Sequence, residues 1–101
     1  MPRTLTTSRV SVPPGREADY VALLARLAGR LRSRGEHLWL FRHPESPGAF
    51  LEFSESPNAE GHRTRRLRDV EELALERGLD AIVSRGPDDR VLWEEVPLEE
   101  R

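Results

Sequence analysis

The chain has 101 residues, 37% of them hydrophobic, and a formal charge of -2 from 16 basic and 18 acidic groups, which fits one small domain over residues 1–101 with a thin core. Cysteine and lysine are both absent, which excludes disulfides, thiolate ligands, a cysteine nucleophile and lysine Schiff-base chemistry. No apolar run approaches the roughly 20 residues that span a bilayer, and MPRTLTTSRVSVPPG holds no apolar core for a secretion signal, so the expectation is a cytoplasmic bacterial protein with no membrane partner.

Residues 5–12, LTTSRVSV, predict a strand with Val10 and Val12 on one face and Arg9 and Ser11 on the other. Pro13-Pro14-Gly15 stops it. Residues 16–34 predict an amphipathic helix. Tyr20, Leu24, Leu27 and Leu31 recur at helical spacing, Leu23 widens the stripe, and Gly35 follows the last turn.

His37–His43 alternates, but both of its faces are largely apolar, with Trp39 and Phe41 on one and Leu38 and Leu40 on the other. That pattern predicts a strand covered on both sides. Pro44–Gly48 turns the chain back into a second strand, Ala49–Glu55, with Leu51 and Phe53 opposite Phe50. Arg42 and Glu52 suit a cross-strand pair.

A second helix is expected over residues 57–78 on the stripe Leu67, Val70, Leu73 and Ala74, with Gly78 ending or interrupting it. Leu79–Val83 reads either as a further helical turn or as an extended piece. Residues 86–89 make a turn, and Arg90–Val96 forms the last strand.

The order is strand, helix, strand, strand, helix, strand. This is an α+β, ferredoxin-like βαββαβ arrangement, a four-stranded antiparallel sheet with both helices on one face. The uncovered face of so apolar a hairpin needs a cover, and a second copy of the chain is the economical one, so a homodimer is expected.

These features resemble the dimeric α/β-barrel superfamily, and within it the antibiotic-biosynthesis-monooxygenase group. VSVPPGREADYVALL has the group's strand, Pro-Gly and helix with a mid-face aromatic. FLEFSESPNAEGHRTRR resembles its passage from third strand to second helix, with Glu55, Ala59 and His62 at the matching places and Ser56-Pro57 where an aromatic usually stands. The resemblance implies a cofactor-independent monooxygenase-like enzyme acting on an aromatic or polyketide-like molecule. Haem degraders and non-catalytic binding proteins share the superfamily, so a scaffold or small-molecule-binding dimer and a haem protein with His43 or His62 as ligand stay open.

His43, His62 and Tyr20 form the candidate catalytic set, with histidine as the base that would favour a phenolate. The alternatives are surface polarity for the histidines and core packing for Tyr20. Trp39, Phe41, Phe50, Phe53 and Trp93 are candidates to line an apolar substrate pocket between sheet and helices, against the alternative of plain core. A shared metal for His37 and His43 is excluded by strand geometry, since six residues of strand span about 20 Å; no metal or other cofactor is expected. The basic run HRTRRLR is followed by EELALE, which can match its charge turn by turn, so nucleic-acid binding is not expected either.

Overall fold

The computed structural model describes residues 3–56, 70–86 and 91–98. The elements are β1 (Thr4–Ser11), α1 (Glu17–Arg32), β2 (His37–Arg42), β3 (Ala49–Ser56), α2 (Val70–Ile82), β4 (Ser84–Arg85) and β5 (Val91–Glu94). All strand pairings are antiparallel, in the order β2-β3-β1-β4, and β5 also pairs with β1. The expected last strand, Arg90–Val96, is found as β5 over Val91–Glu94, and the two-residue β4 before it was not expected. β4 meets the C-terminal half of β1 through Val10 and Ser11, and β5 meets its N-terminal half from Thr4 to Thr7.

α1 forms where its spacing predicts and buries Tyr20, Leu24, Leu27 and Leu31. Gly35 takes φ +78°, and the Glu36 N–H returns to the Leu31 carbonyl at 3.1 Å, which closes the helix end. β1 alternates as predicted, with Val10 and Val12 under the helices.

α2 corrects the sequence reading. The helix runs straight through Gly78, which faces Leu23 of α1, and continues to Ile82. Its buried stripe is Glu72, Leu75, Leu79 and Ile82, whereas Val70 is 84% exposed and Leu73 and Ala74 are exposed. Stopping the pattern at Gly78 removed two of its inward residues, and a buried glutamate does not read as core. Glu72 is inward because Arg34 of the α1 end reaches it at 2.9 Å. Arg30 to Glu71 at 2.8 Å adds a second α1–α2 link. Leu67 and the helix start predicted near residue 57 lie outside the described residues, as does the basic run. No helix among the described residues is long and apolar enough to cross a membrane.

The core sits between the helices and one sheet face: Val10, Val12, Tyr20, Leu24, Leu27, Leu31, Phe50, Leu75, Leu79 and Ile82. The other face stays open. Trp39 is 43% exposed there and Phe41 and Trp93 are each 57% exposed. Register places Trp39 opposite Phe53 and Phe41 opposite Leu51, and Phe41 packs edge-on against Phe53 at 5.3 Å between centroids. The helices of one chain cover the inner side of the hairpin, and its apolar outer side is left open.

The β2–β3 turn is tied to the end of β1. Gly48 has φ +82°, and its carbonyl accepts the Val12 N–H at 2.8 Å. A Cβ at Gly48 would stand 2.5 Å from the Val12 carbonyl oxygen, while one at Gly15, φ +83°, would meet nothing. Gly48→Ala is expected to lower stability by about 2 kcal/mol or more and Gly15→Ala by about 1 kcal/mol. Equilibrium urea unfolding of the two variants measures the difference; equal losses would mean the close approach to Val12 carries no weight.

Candidate functional site

The sheet face beneath the helices is polar where a core face would be apolar. Period-two alternation puts Thr4, Thr6 and Ser8 of β1 inward, all buried. On β3 the inward residues are Phe50, Glu52, Ser54 and Ser56, with Glu52 only 9% exposed. Leu24, Leu27 and Leu31 of α1, Leu38 of β2 and Leu79 of α2 roof the space over Thr6, Ser8, Glu52 and Ser54. Glu76, Asp80 and Arg85 complete a cleft that encloses about 40 Å³ and is open at one side. The enclosed part has room for a few waters or a dioxygen molecule, and is smaller than the roughly 150 Å³ that holds benzene.

One carboxylate organises the cleft. The Tyr20 hydroxyl donates to Glu52 Oε2. Arg85 Nη1 donates to Glu52 Oε1 at 3.0 Å, and Arg85 Nε reaches Asp80 Oδ1 at 3.2 Å. Each member is placed by its element. Tyr20 is the first residue of the inward stripe of α1, Glu52 lies mid-strand in the phase of Phe50, and Arg85 sits in β4 opposite Val10. Burial raises the Tyr20 hydroxyl pKa well above its usual value, the Glu52 charge and hydrogen bond push the same way, and Arg85 offsets part of the rise. Tyr20 is therefore a fixed donor and not a base.

The sequence-predicted residues separate in space. Tyr20 does not line the cleft but donates to Glu52, which does. Phe50 packs beside Tyr20, at 5.4 Å between ring centroids. Trp39, Phe41, Phe53 and Trp93 lie on the opposite face of the sheet, so the aromatic set does not converge on one pocket. The period of two explains this, because Phe50 and Phe53 are three residues apart and must face opposite ways. His43 stands at the hairpin turn, where its Nδ1 accepts the Glu45 N–H at 3.1 Å; it lines an open groove and not the cleft. His37 is on the outer face, stacked on Trp39 and 3.3 Å from Glu55. His62 lies outside the described residues. No group of three or more histidine or carboxylate side chains among the described residues is arranged to hold a metal ion.

Glu52 and Arg85 were not legible as site residues. The expected Arg42–Glu52 pair is not formed, because the register sets Arg42 opposite Phe50 and Glu52 opposite Leu40. The available signal was the phase shared by Phe50 and Glu52, which puts a charge among buried residues.

The chain has one tyrosine, no lysine and no cysteine, so in the unfolded chain Tyr20 titrates near pH 10 with little competition. Its proton is held by the folded state and released by the unfolded state above about pH 10, so its contribution to stability is complete below that pH and falls as pH rises further. Native protein at about pH 11 is expected to show no tyrosinate absorbance until it unfolds. Tyr20→Phe should remove the alkaline slope and cost about 1–3 kcal/mol at neutral pH. A tyrosinate band appearing near pH 10 in still-folded protein would contradict this environment.

No protein-family model matches the chain, and no curated protein matches it. Solved structures do. SnoaB, a cofactor-independent oxygenase from Streptomyces nogalater, superposes with a TM-score of 0.78 at 17% identity, covering 99% of this chain and 100% of its own. A candidate antibiotic biosynthesis monooxygenase from Nitrosomonas europaea gives 0.80 at 9% identity, over 97% of this chain and 94% of its own. Another from Bordetella bronchiseptica gives 0.70 at 19% identity, over 98% and 100%. The chain thus has the ferredoxin-like α+β fold of the antibiotic-biosynthesis-monooxygenase-like proteins.

Proposed function

We propose that the chain is a homodimeric, cofactor-independent monooxygenase that acts on an electron-rich phenol, with the hydroxyl edge of a single ring entering the helix–sheet cleft. The observation that carries the reading is the buried carboxylate Glu52 in a cleft walled by hydroxyls, at a place where a scaffold would put leucine or valine. Sharing a fold with a cofactor-independent oxygenase supports the class of chemistry. The enclosed volume of about 40 Å³ favours one ring, with its body toward the open side, over a polycyclic substrate.

In this mechanism Glu52 takes the phenol proton. Tyr20 and Arg85 position its two oxygens, leaving each a lone pair for the substrate. The phenolate gives one electron to dioxygen, and the phenoxyl radical and superoxide combine at the para carbon. The peroxide anion so formed is protonated; loss of the para hydrogen as a proton and cleavage of the O–O bond then give a quinone and water. One dioxygen is consumed per phenol, with one oxygen atom in the quinone and one in water. Arg85, beside Glu52, supplies the positive charge that steadies the phenolate at the hydroxyl end of the ring.

A second copy is assigned to the outer sheet face, over Leu5, Trp39, Phe53, Val91 and Trp93. Exposed aromatics on one continuous strand surface support that placement.

Oxygen uptake with 2,6-dimethoxyphenol and purified protein, without added cofactor, tests the chemistry. One quinone should form per dioxygen consumed, and Glu52→Gln should slow the reaction about a hundredfold or more. Quinone formation at an unchanged rate in Glu52→Gln, or no uptake with any of a series of single-ring phenols, would end the reading. For the assembly, sedimentation at micromolar concentration should give twice the 11.6 kDa chain mass; a stable species at the chain mass would refute the dimer.

A further inference from the structure

The outer sheet face holds a second site of opposite charge to the cleft. At its hairpin end a groove of about 700 Å³ runs from the β2–β3 turn across to β4. That volume lies within the range of small-molecule sites, about 300–1,000 Å³. Phe41, Leu51, Ala49 and Pro44 give it an apolar floor, and Ser11 and Ser84, paired across β1 and β4, add hydroxyl-bearing residues. Arg9, Arg42, Arg85 and His43 line it, and no aspartate or glutamate does so among the described residues. The cleft on the other face is lined by Glu52, Glu76 and Asp80 against Arg85 alone.

Arg9 is the centre of the argument. It is exposed on the outer face, between apolar neighbours of the two grooves that run there. Arg3, Arg16, Arg30, Arg34 and Arg85 each meet a carboxylate, while Arg9 has no carboxylate partner among the described residues. Arg42 is held over the Phe50 ring, at 5.9 Å, and Arg85 is engaged by Glu52 and Asp80. A guanidinium amid phenylalanine and leucine is costly to cover without a counter-charge. In the same groove, His43 accepts the Glu45 N–H at Nδ1, an arrangement that puts the ring proton on Nε2 as a donor.

We propose that this groove binds a small organic anion, an aromatic carboxylate in chemical class, with the carboxylate on Arg9 and His43 and the ring over Phe41 and Leu51. A planar fork of donors suits a carboxylate, and an aromatic body suits the floor. The anion is assigned to Arg9 and His43, neither of which lines the cleft, while Arg85 borders both spaces. The site also divides the outer face: the Trp39–Phe53–Trp93 end suits a dry contact with a second copy, and the Arg9 end does not.

Calorimetric titration of the intact chain at neutral pH with 2-naphthoate, 2-naphthol and 2-naphthylmethylamine compares one ring system carrying negative, zero and positive charge. Naphthoate should bind about tenfold or more tighter than naphthol, and the amine weakest. Arg9→Gln should abolish the preference for naphthoate, Arg9→Lys should keep part of it, and thermal unfolding should show both variants folded. The proposal is overturned if naphthoate fails to bind, as it would were a second copy filling the groove. It is equally overturned if the three ligands bind alike or if Arg9→Gln binds as wild type does.

Discussion

The sheet is built with its polarity reversed, and the rest of the molecule depends on that. Along β1 and β3 the side chains under the helices are mostly hydroxyls and one carboxylate, and those facing away include Leu5, Leu51 and Phe53. A strand alternates with a period of two, so neither set can be moved without moving the other. A one-residue slip of β3 would bury Phe53 under the helices and push Glu52 out among the outer aromatics. The covered face then has too little bulk to fill its space, which leaves a cleft. The open face is left with a continuous apolar surface, where the proposed second copy would sit.

The helices compensate for the missing sheet bulk with leucine. Leu24, Leu27 and Leu31 from α1 and Leu75 and Leu79 from α2 supply most of the core, and Val10, Val12 and Phe50 close it at the hairpin end. Fully buried leucines contribute about 1.5–3 kcal/mol each, so the fold tolerates a polar floor. The α1–α2 contact is fastened by ion pairs, Arg34 to Glu72 and Arg30 to Glu71. The Arg30–Glu71 pair is exposed enough to contribute little. Arg34 to buried Glu72 matters more, because losing the arginine takes a close cation from a desolvated carboxylate.

Much of the architecture was legible because it rests on local periodicity. α1 shows its stripe in spacings of four, three and four, and β1 shows Val10 and Val12 in step. The β2–β3 hairpin announces itself through Pro44–Gly48 between apolar runs. The phase of α2 was misread because Gly78 looks like a stop while serving as a close-packed residue against Leu23. The site was less legible for a different reason. Tyr20, Glu52 and Arg85 are separated by 32 and 33 positions, and only the sheet register brings them together. Tyr20 could be picked from its place on the inward stripe. Glu52 was matched to the wrong arginine because Arg42 is near it in sequence and faces the same side of the sheet. The aromatics were read as one set because composition counts rings without their facing.

The Tyr20–Glu52–Arg85 contacts also constrain how this protein can drift. Replacing Glu52 alone takes the acceptor from the inward Tyr20 hydroxyl and leaves Arg85 with Asp80; replacing Arg85 alone takes a close cation from the buried carboxylate. Exchange of all three for apolar residues of similar volume, by contrast, gives an ordinary core that can be as stable as the original or more so. Single steps are therefore blocked and the concerted change is open. Descendants of such a chain should carry the whole trio or none of it, and those without it keep the fold while giving up any chemistry that the buried carboxylate allowed.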